Sequence, residues 1–429
     1  MPTISGGIHL ALSAILAHSH AMEITEHNVA NANTPGYRRQ SVVYSASTAT
    51  ASMFMEGGPL AGQRGTGVSI DRIDRFNLQF FDGRYRAVSA DAYQSVAQRD
   101  VLKQLEATLA ETSENGLIPT MDQFWSSWSN LAADPTNLAL RAQVLDYGKD
   151  VADAFNRRST QIRQLQSDQD LAIKDSADQI NQMATEIANL NAEISHVLSV
   201  GDQPNDLLDK RDLLLDQLAQ LSGAVSSEQA NGEVMVSING HALVVGHDTF
   251  KVKTVQEAPN NFSSIRWEID DVQLNPPSGT LKGLFTARDT VAENQLTGLN
   301  TLVSSLISEV NTVHTSGYDM NGAAGLPFFT GTTAGSISVN SALQPANLAA
   351  ASVAGEPGNS LNASKLADLK LAKPAALGAT MGEYYNAQVT SLGITLQSAT
   401  QNATHQNLVA KALSDQRESV AGVNLNEEA

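Results

Sequence analysis

The chain has 429 residues, enough for two or three domains with buried cores. Its 45 acidic residues outnumber 27 basic ones, a net charge of −18, which argues against a partner bound through nucleic-acid phosphates and describes a solvated, self-repelling surface. With no cysteine, disulfide scaffolds, thiolate metal sites and cysteine nucleophiles are excluded.

Ile8 to Ala17 is apolar enough to be taken for a signal-peptide core, but the first basic residue is Arg38 and the first lysine is Lys103. A cleaved leader is therefore disfavoured. No apolar stretch reaches the roughly 18 residues of a membrane span, so no membrane partner is expected. Instead Ile4, Ile8, Ala11, Ile15, His18, Met22, Thr25 and Val29 recur at alternating spacings of four and three, the seam of a coiled coil. His18 and Thr25 weaken that seam. Such a helix is marginal alone and is expected to order on stacking against neighbours. His18, His20 and His27 lie close together without the carboxylate–histidine spacing of a zinc site and are read as solvated or seam residues.

The helix stops in Asn31-Ala32-Asn33-Thr34-Pro35-Gly36-Tyr37. Asn and Thr side chains compete for backbone hydrogen bonds, Pro35 bars the preceding residue from a helix, and Gly36 tolerates left-handed geometry. Arg38 to Tyr44 then reads as extended. A Gly-rich stretch follows (Gly57, Gly58, Gly62, Gly65, Gly67), which lacks the Lys-Ser/Thr ending of a phosphate loop and reads as a flexible joint. A short strand runs through Val68, Ile70 and Ile73. From about Val88 the pattern is helical, with Leu102, Leu105 and Leu109 on one face. Phe124, Trp125, Trp128 and Leu131 form a second apolar group closed by Asp134-Pro135, with the tryptophans read as core anchors.

The strongest periodicity has Ile173, Ile180, Ile187 and Ile194 every seven residues, with Ser176, Met183, Leu190 and Val197 at the complementary positions. Asp202, Asp206 and Asp209 next read as charges at a helix N-terminus, where the macrodipole favours carboxylates. Val234, Val236 and Ile238 alternate into Asn239-Gly240, a two-residue hairpin turn, and Leu243 and Val245 resume the alternation. Phe250, Val252, Ile265, Trp267 and Ile269 extend the strand signal to Pro276-Pro277. Two further heptad segments use Leu296, Leu299, Val303, Leu306, Val310 and Val313, then Tyr385, Val389, Leu392, Leu396, Ala399 and Ala403. Asp319-Met320-Asn321-Gly322 lacks the closing glutamate of a calcium loop and reads as a turn. Residues 331–374 read as an irregular return with one strand at Ile337 to Val339.

These patterns predict a mainly α, elongated multi-domain chain, with long heptad helices forming a rod and a small inserted β-rich domain. The expected division is an N-terminal coil and joint over 1–60, a discontinuous helical domain over 61–222 plus 286–429, and the β-rich insertion over 223–285. No paired catalytic carboxylates or nucleophile elbow occur, so no catalytic residue, metal or cofactor is expected.

A helix running into Asn31-Ala-Asn-Thr-Pro-Gly-Tyr-Arg-Arg-Gln40 resembles the N-terminus of bacterial flagellar axial proteins, the rod, hook and hook-associated proteins. Five later strings narrow the resemblance to the hook-associated branch at the hook–filament junction. They are Gly201 to Leu213, the Asn231-Gly232 and Asn239-Gly240 pair, Gly279 to Leu284, His314 to Gly322 with Phe328-Phe329, and Ser419 to Ala429. The resemblance implies a non-enzymatic structural subunit that self-assembles as a ring at the hook tip. It implies export unfolded through the flagellar type III apparatus without signal cleavage, and a secreted, flagellar location serving motility. The implied partners are further copies of itself, the hook protein, the second junction protein, the export apparatus and an export chaperone. Assembly would run through the terminal coil residues Ile4, Ile8, Ala11, Ile15, Met22 and Val29. Asn31, Asn33, Thr34, Pro35, Gly36 and Tyr37 would fix the turn joining coil to helical domain. The family pattern continues into a C-terminal helix, for which no residues follow Ala429, and an incomplete reading frame is the expected explanation. Another axial protein (hook or distal rod), a secreted adhesin using the β-insertion and a peptidoglycan hydrolase are the alternatives.

Overall fold

A computed structural model describes residues 4–49, 65–109 and 116–428, without the side chains of residues 4–6. Gly57, Gly58 and Gly62 of the expected joint, and Ala429, lie outside the described residues. In chain order the elements are α1 (Ile4–Asn31), β1 (Gln40–Ala46), β2 (Val68–Arg75), α2 (Gln79–Leu109), α3 (Leu117–Ala133), α4 (Leu138–Ser199) and α5 (Asn205–Ser222). Six strands follow: β3 (Val225–Glu228), β4 (Val234–Ile238), β5 (His241–Val245), β6 (Asp248–Thr249), β7 (Val252–Glu257) and β8 (Phe262–Trp267). Then come α6 (Gly279–Thr286), a π-helical turn at Ala287–Ala292, α7 (Glu293–Thr315), β9 (Phe329–Thr330), β10 (Ser338–Val339), α8 (Leu361–Asp368), α9 (Met381–Ala421) and α10 (Leu425–Glu428). Helix dominates, as the heptads predict. Among the described residues no helix is long and apolar enough to cross a membrane.

The chain divides into two compact units. Unit 1 holds residues 1–94, 174–282 and 404–429, and unit 2 holds residues 95–173 and 283–403. Unit 2 is helical and built on the second and third heptad signals. Leu296, Leu299, Val303, Leu306 and Val310 of α7 are buried with Tyr385, Leu392 and Leu396 of α9, and with Leu102, Leu105 and Leu109 of α2. Phe124, Trp125 and Trp128 of α3 meet Phe328 and Phe329, with Phe124 and Phe328 ring centroids 5.5 Å apart. Burial of such rings contributes about 1.5–3 kcal/mol apiece. Residues 331–374 are less irregular than expected. β10 pairs with β9, and α8 seats Ala363 and Leu366 in the core. The Ala, Ser and Asn content of that segment hides an amphipathic stripe only two turns long.

His314 closes α7 among these rings. Its Nδ1 lies 2.5 Å from the Leu326 carbonyl, and its Nε2 accepts the Ala349 N–H at 3.1 Å. That pairing needs the neutral tautomer, and burial pushes its pKa from 6.5 down to about 4. A lowered histidine pKa stabilises the fold above the unfolded value and loses that contribution as pH falls toward the folded one. Unit 2 should therefore lose on the order of 3 kcal/mol between about pH 6.5 and 4. Thermal melts across that window should show the loss, and His314→Gln should flatten it.

In unit 1, Ile180, Ile187 and Ile194 of α4 are fully buried. Their partners on the seam are Ala184 and Asn191, while Met183, Leu190 and Val197 are only half-buried, so the buried face is rotated from the one expected. The cause is polar. Asn191 donates to the Val234 and Gly246 carbonyls and accepts the Val234 N–H, and Asn181 exchanges both bonds with Val252. Two asparagines thus dock a helix onto strand backbone, and small neighbours let it approach. Asn191 meets the sheet of order β3-β4-β5-β6, in which β4 and β5 are joined at Asn239-Gly240 as expected, and Asn181 meets β7 of the separate antiparallel pair β7-β8. Trp267 is buried and stacks on His241 at 5.5 Å.

Candidate functional site

α1 is helical and lies along the antiparallel β1-β2 hairpin in unit 1. The side it turns inward is small or polar: Ala17 and Asn28 are buried, and Ser13 and Ala14 are half-buried. Gly67 comes so close to Ser13 that a Cβ there would collide with its hydroxyl. The β1-β2 pair thus supports one side of α1, the side away from the expected seam.

The expected assembly residues face the other way. Ile8 is 59% exposed, Ile15 65%, Met22 64% and Val29 45%, and Ala11 is also exposed. Ile4 opens the helix, and its side chain is outside the described residues. Leu12 and Leu16 widen the exposed stripe. A helix that buries its small and polar side and presents isoleucines to water has an unfilled apolar face, the signature of an interaction surface. His18 stands beside Tyr44, His20 pairs with Glu23 and His27 with Tyr37, so the three histidines do not converge. Among the described residues no group of three or more His, Cys, Asp or Glu could hold a metal.

The turn at the end of α1 is closed from within. Thr34 N–H donates to the Asn31 carbonyl at 2.8 Å, Tyr37 N–H to the Thr34 carbonyl at 3.1 Å, and Thr34 Oγ1 to Asn31 Oδ1 at 3.1 Å. Asn33, Thr34 and Pro35 form its exposed tip. Gly36 has φ +82° and lies on α5, where a Cβ would sit 3.2 Å from Leu213 Cβ. Gly36→Ala should cost about 1–2 kcal/mol from the left-handed backbone alone, measurable by denaturant unfolding.

Residues that the sequence reading left out carry much of the joint. Asn28 is 1% exposed, and its amide spans the turn. Asn28 Oδ1 accepts the Tyr37 hydroxyl at 2.8 Å and the Gln40 N–H at 3.0 Å, while Nδ2 donates to the Gln40 carbonyl at 2.9 Å. Burial raises the Tyr37 pKa, with Asp206, Asp209 and Glu428 adding to the effect, so the phenol stays a donor. Gln40 bridges to α5 through Asp206 and Asn205.

Beyond the turn lies a buried ionic cluster. Arg38 forks onto Asp82 with two bonds of 2.8 Å, and its N–H donates to Asp209. Arg75 of β2 reaches Asp209 and Asp212 at 2.6 Å each, and Arg86 of α2 reaches Asp212 at 2.9 Å and Asp216 at 2.7 Å. Arg417 of α9 contacts Asp216 at 2.8 Å and Asp82 at 3.4 Å while lying over the Tyr85 ring. Spacings of three and four put Asp209, Asp212 and Asp216 on one face of α5. Burial opposes ionisation of Asp212, but Arg75, Arg38 and Arg86 outweigh it and hold its carboxyl well below the usual range. Asp206 alone keeps the expected first-turn position in α5, whereas Asp209 belongs to this cluster and Asp202 caps only the Gln203 N–H. Arg39 points to the other chain end, 2.6 Å from Glu428 and 3.0 Å from Glu427, and its N–H donates to the Ala421 carbonyl. A cleft of about 340 Å³ lined by Arg75, Asp82, Arg86 and Asp212 borders these contacts. The arrangement can orient a helix.

Comparison with known proteins gives one family match. The model of the flagellar hook-associated protein FlgK helical domain covers residues 102–329. Flagellar hook-associated protein 1 of Bacillus subtilis is 27% identical over 98% of this chain and 92% of its own length. The Escherichia coli protein of the same name is 28% identical over 76% of this chain, which spans only 60% of that relative. The flagellar hook junction protein FlgK of Burkholderia pseudomallei superposes with a TM-score of 0.73 at 15% identity, over 79% of this chain and all of that one, and so shares its fold.

Proposed function

The chain belongs to the flagellar hook-associated protein FlgK family, and we propose that it is a non-enzymatic structural subunit that joins hook to filament by self-assembly at the hook tip. Family membership carries the location. The outward stripe Ile8, Ala11, Ile15, Met22 and Val29 on a helix braced from behind is the observation that carries the assembly role. Covering each large member of that stripe contributes about 1.5–3 kcal/mol, and repetition of the contact around a ring offsets the cost of association. The partners in this reading are further copies of the chain, the hook protein and the second junction protein. The flagellar export apparatus and an export chaperone would act before assembly, without a cleaved signal peptide. The turn Asn31, Asn33, Thr34, Pro35, Gly36 and Tyr37 sets where the coil ends and the rest of unit 1 begins.

Electron microscopy of a strain lacking this gene tests the reading. Hooks without filaments are expected, and filaments restored by the wild-type gene. Normal filaments in the deletion strain would overturn it.

A further inference from the structure

We propose that the buried arginine–aspartate cluster is a latch that sets the direction of α1 relative to α5 within unit 1, and that Arg417, far along the chain on α9, is one of its positioning residues. Arg38 follows the turn directly, so whatever holds its guanidinium fixes the end of α1. Asp82 receives both prongs of that guanidinium and also faces Arg417, while Asp216 is shared by Arg417 and Arg86. The pose of α1 is thus tied through two shared carboxylates to a helix from the far end of the sequence. Forked guanidinium–carboxylate pairs restrict angle as well as distance, which apolar contact does not.

Packing around the turn is loose enough for this to matter. A cleft of about 380 Å³ separates Asn33, Thr34 and Pro35 from Ser414, Glu418 and Val423. A second of about 170 Å³ lies between Asn31, Pro35 and Lys210. With open space on both flanks, shape complementarity alone does not hold the turn, and the polar contacts of Asn28, Arg38 and Arg39 carry it. Buried ion pairs add less to stability than apolar residues of the same volume, but they discriminate between alternative arrangements.

This deepens the assembly reading of α1 and rests on it, but its test uses the soluble chain. Ser19 of α1 and Gln217 of α5 are both exposed, and the absence of native cysteine allows Ser19→Cys and Gln217→Cys to be spin-labelled cleanly. Pulsed electron–electron resonance should give one narrow distance peak in this background. Adding Arg417→Ala, a residue whose ion pairs go to α2 and α5, should at least double the width of that peak. Arg38→Ala should do the same, and Arg72→Ala, which removes exposed pairs on β2, should not. If Arg417→Ala melts at the labelling temperature, Arg417→Lys keeps the charge, loses the guanidinium plane that lies over the Tyr85 ring, and should broaden the peak by a smaller factor. An unchanged narrow peak in a folded Arg417 variant would overturn the latch and leave the assembly reading standing. Normal filaments in the deletion strain would overturn the assembly reading with the latch intact.

Discussion

Asp212→Asn is expected to lower the stability of unit 1 by about 3–5 kcal/mol, the usual cost of removing one partner from a buried ion pair. Asp212 accepts from Arg75 and Arg86 and lies 3.3 Å from Arg38, so one lost charge leaves three guanidiniums facing a neutral amide. They cannot escape to water, because Arg38 and Arg75 are both 5% exposed. The folded-state carboxyl titrates below its unfolded value, so its contribution is present above about pH 4 and is lost only as the pH falls through the depressed pKa. Urea titrations of wild type and Asp212→Asn should therefore differ by the same amount at pH 7 and pH 5. A difference below about 1 kcal/mol would mean that the cluster is screened by water that its burial excludes.

Replacing Ile8 and Ile15 with Asp has the opposite profile. Both side chains are mostly in water, so the isolated chain should keep its melting temperature within the roughly 0.5 kcal/mol typical of surface changes. Assembly should fail, since two carboxylates would have to be buried in the apolar contact without partners. Expressed in the deletion strain, the double variant should leave hooks bare while remaining soluble and folded by circular dichroism. Loss of fold would place these residues in the core of the monomer instead.

The three heptads were legible because isoleucine and leucine at fixed spacing have few other uses: Ile180, Ile187, Ile194, Leu296, Val303 and Leu392 are buried, although the complementary Met183, Leu190 and Val197 are only half-buried. The Asn239-Gly240 hairpin was legible for a similar reason, since its backbone geometry admits few residues. The direction of the α1 stripe was not, because periodicity defines a face without saying what it meets. The ionic cluster was invisible for another reason. Arg38 and Asp209 are 171 residues apart, and arginine or aspartate on a polar helix has no distinctive local pattern. Its one local trace is the three-and-four spacing of Asp209, Asp212 and Asp216, which serves equally for a solvated face. The same cluster explains why α2 begins at Gln79 and not near Val88: its first turns hold Asp82 and Arg86, whose polarity masks a helix that ion pairs anchor.

The central claim is that the outward face of α1 meets another subunit in the assembled junction. Photo-crosslinking tests it most directly, with a benzophenone amino acid replacing Ile15 and hooks isolated after assembly. The account predicts a covalent adduct between this subunit and a neighbouring chain of the junction. A fully assembled junction that yields only uncrosslinked subunit from that position would contradict it.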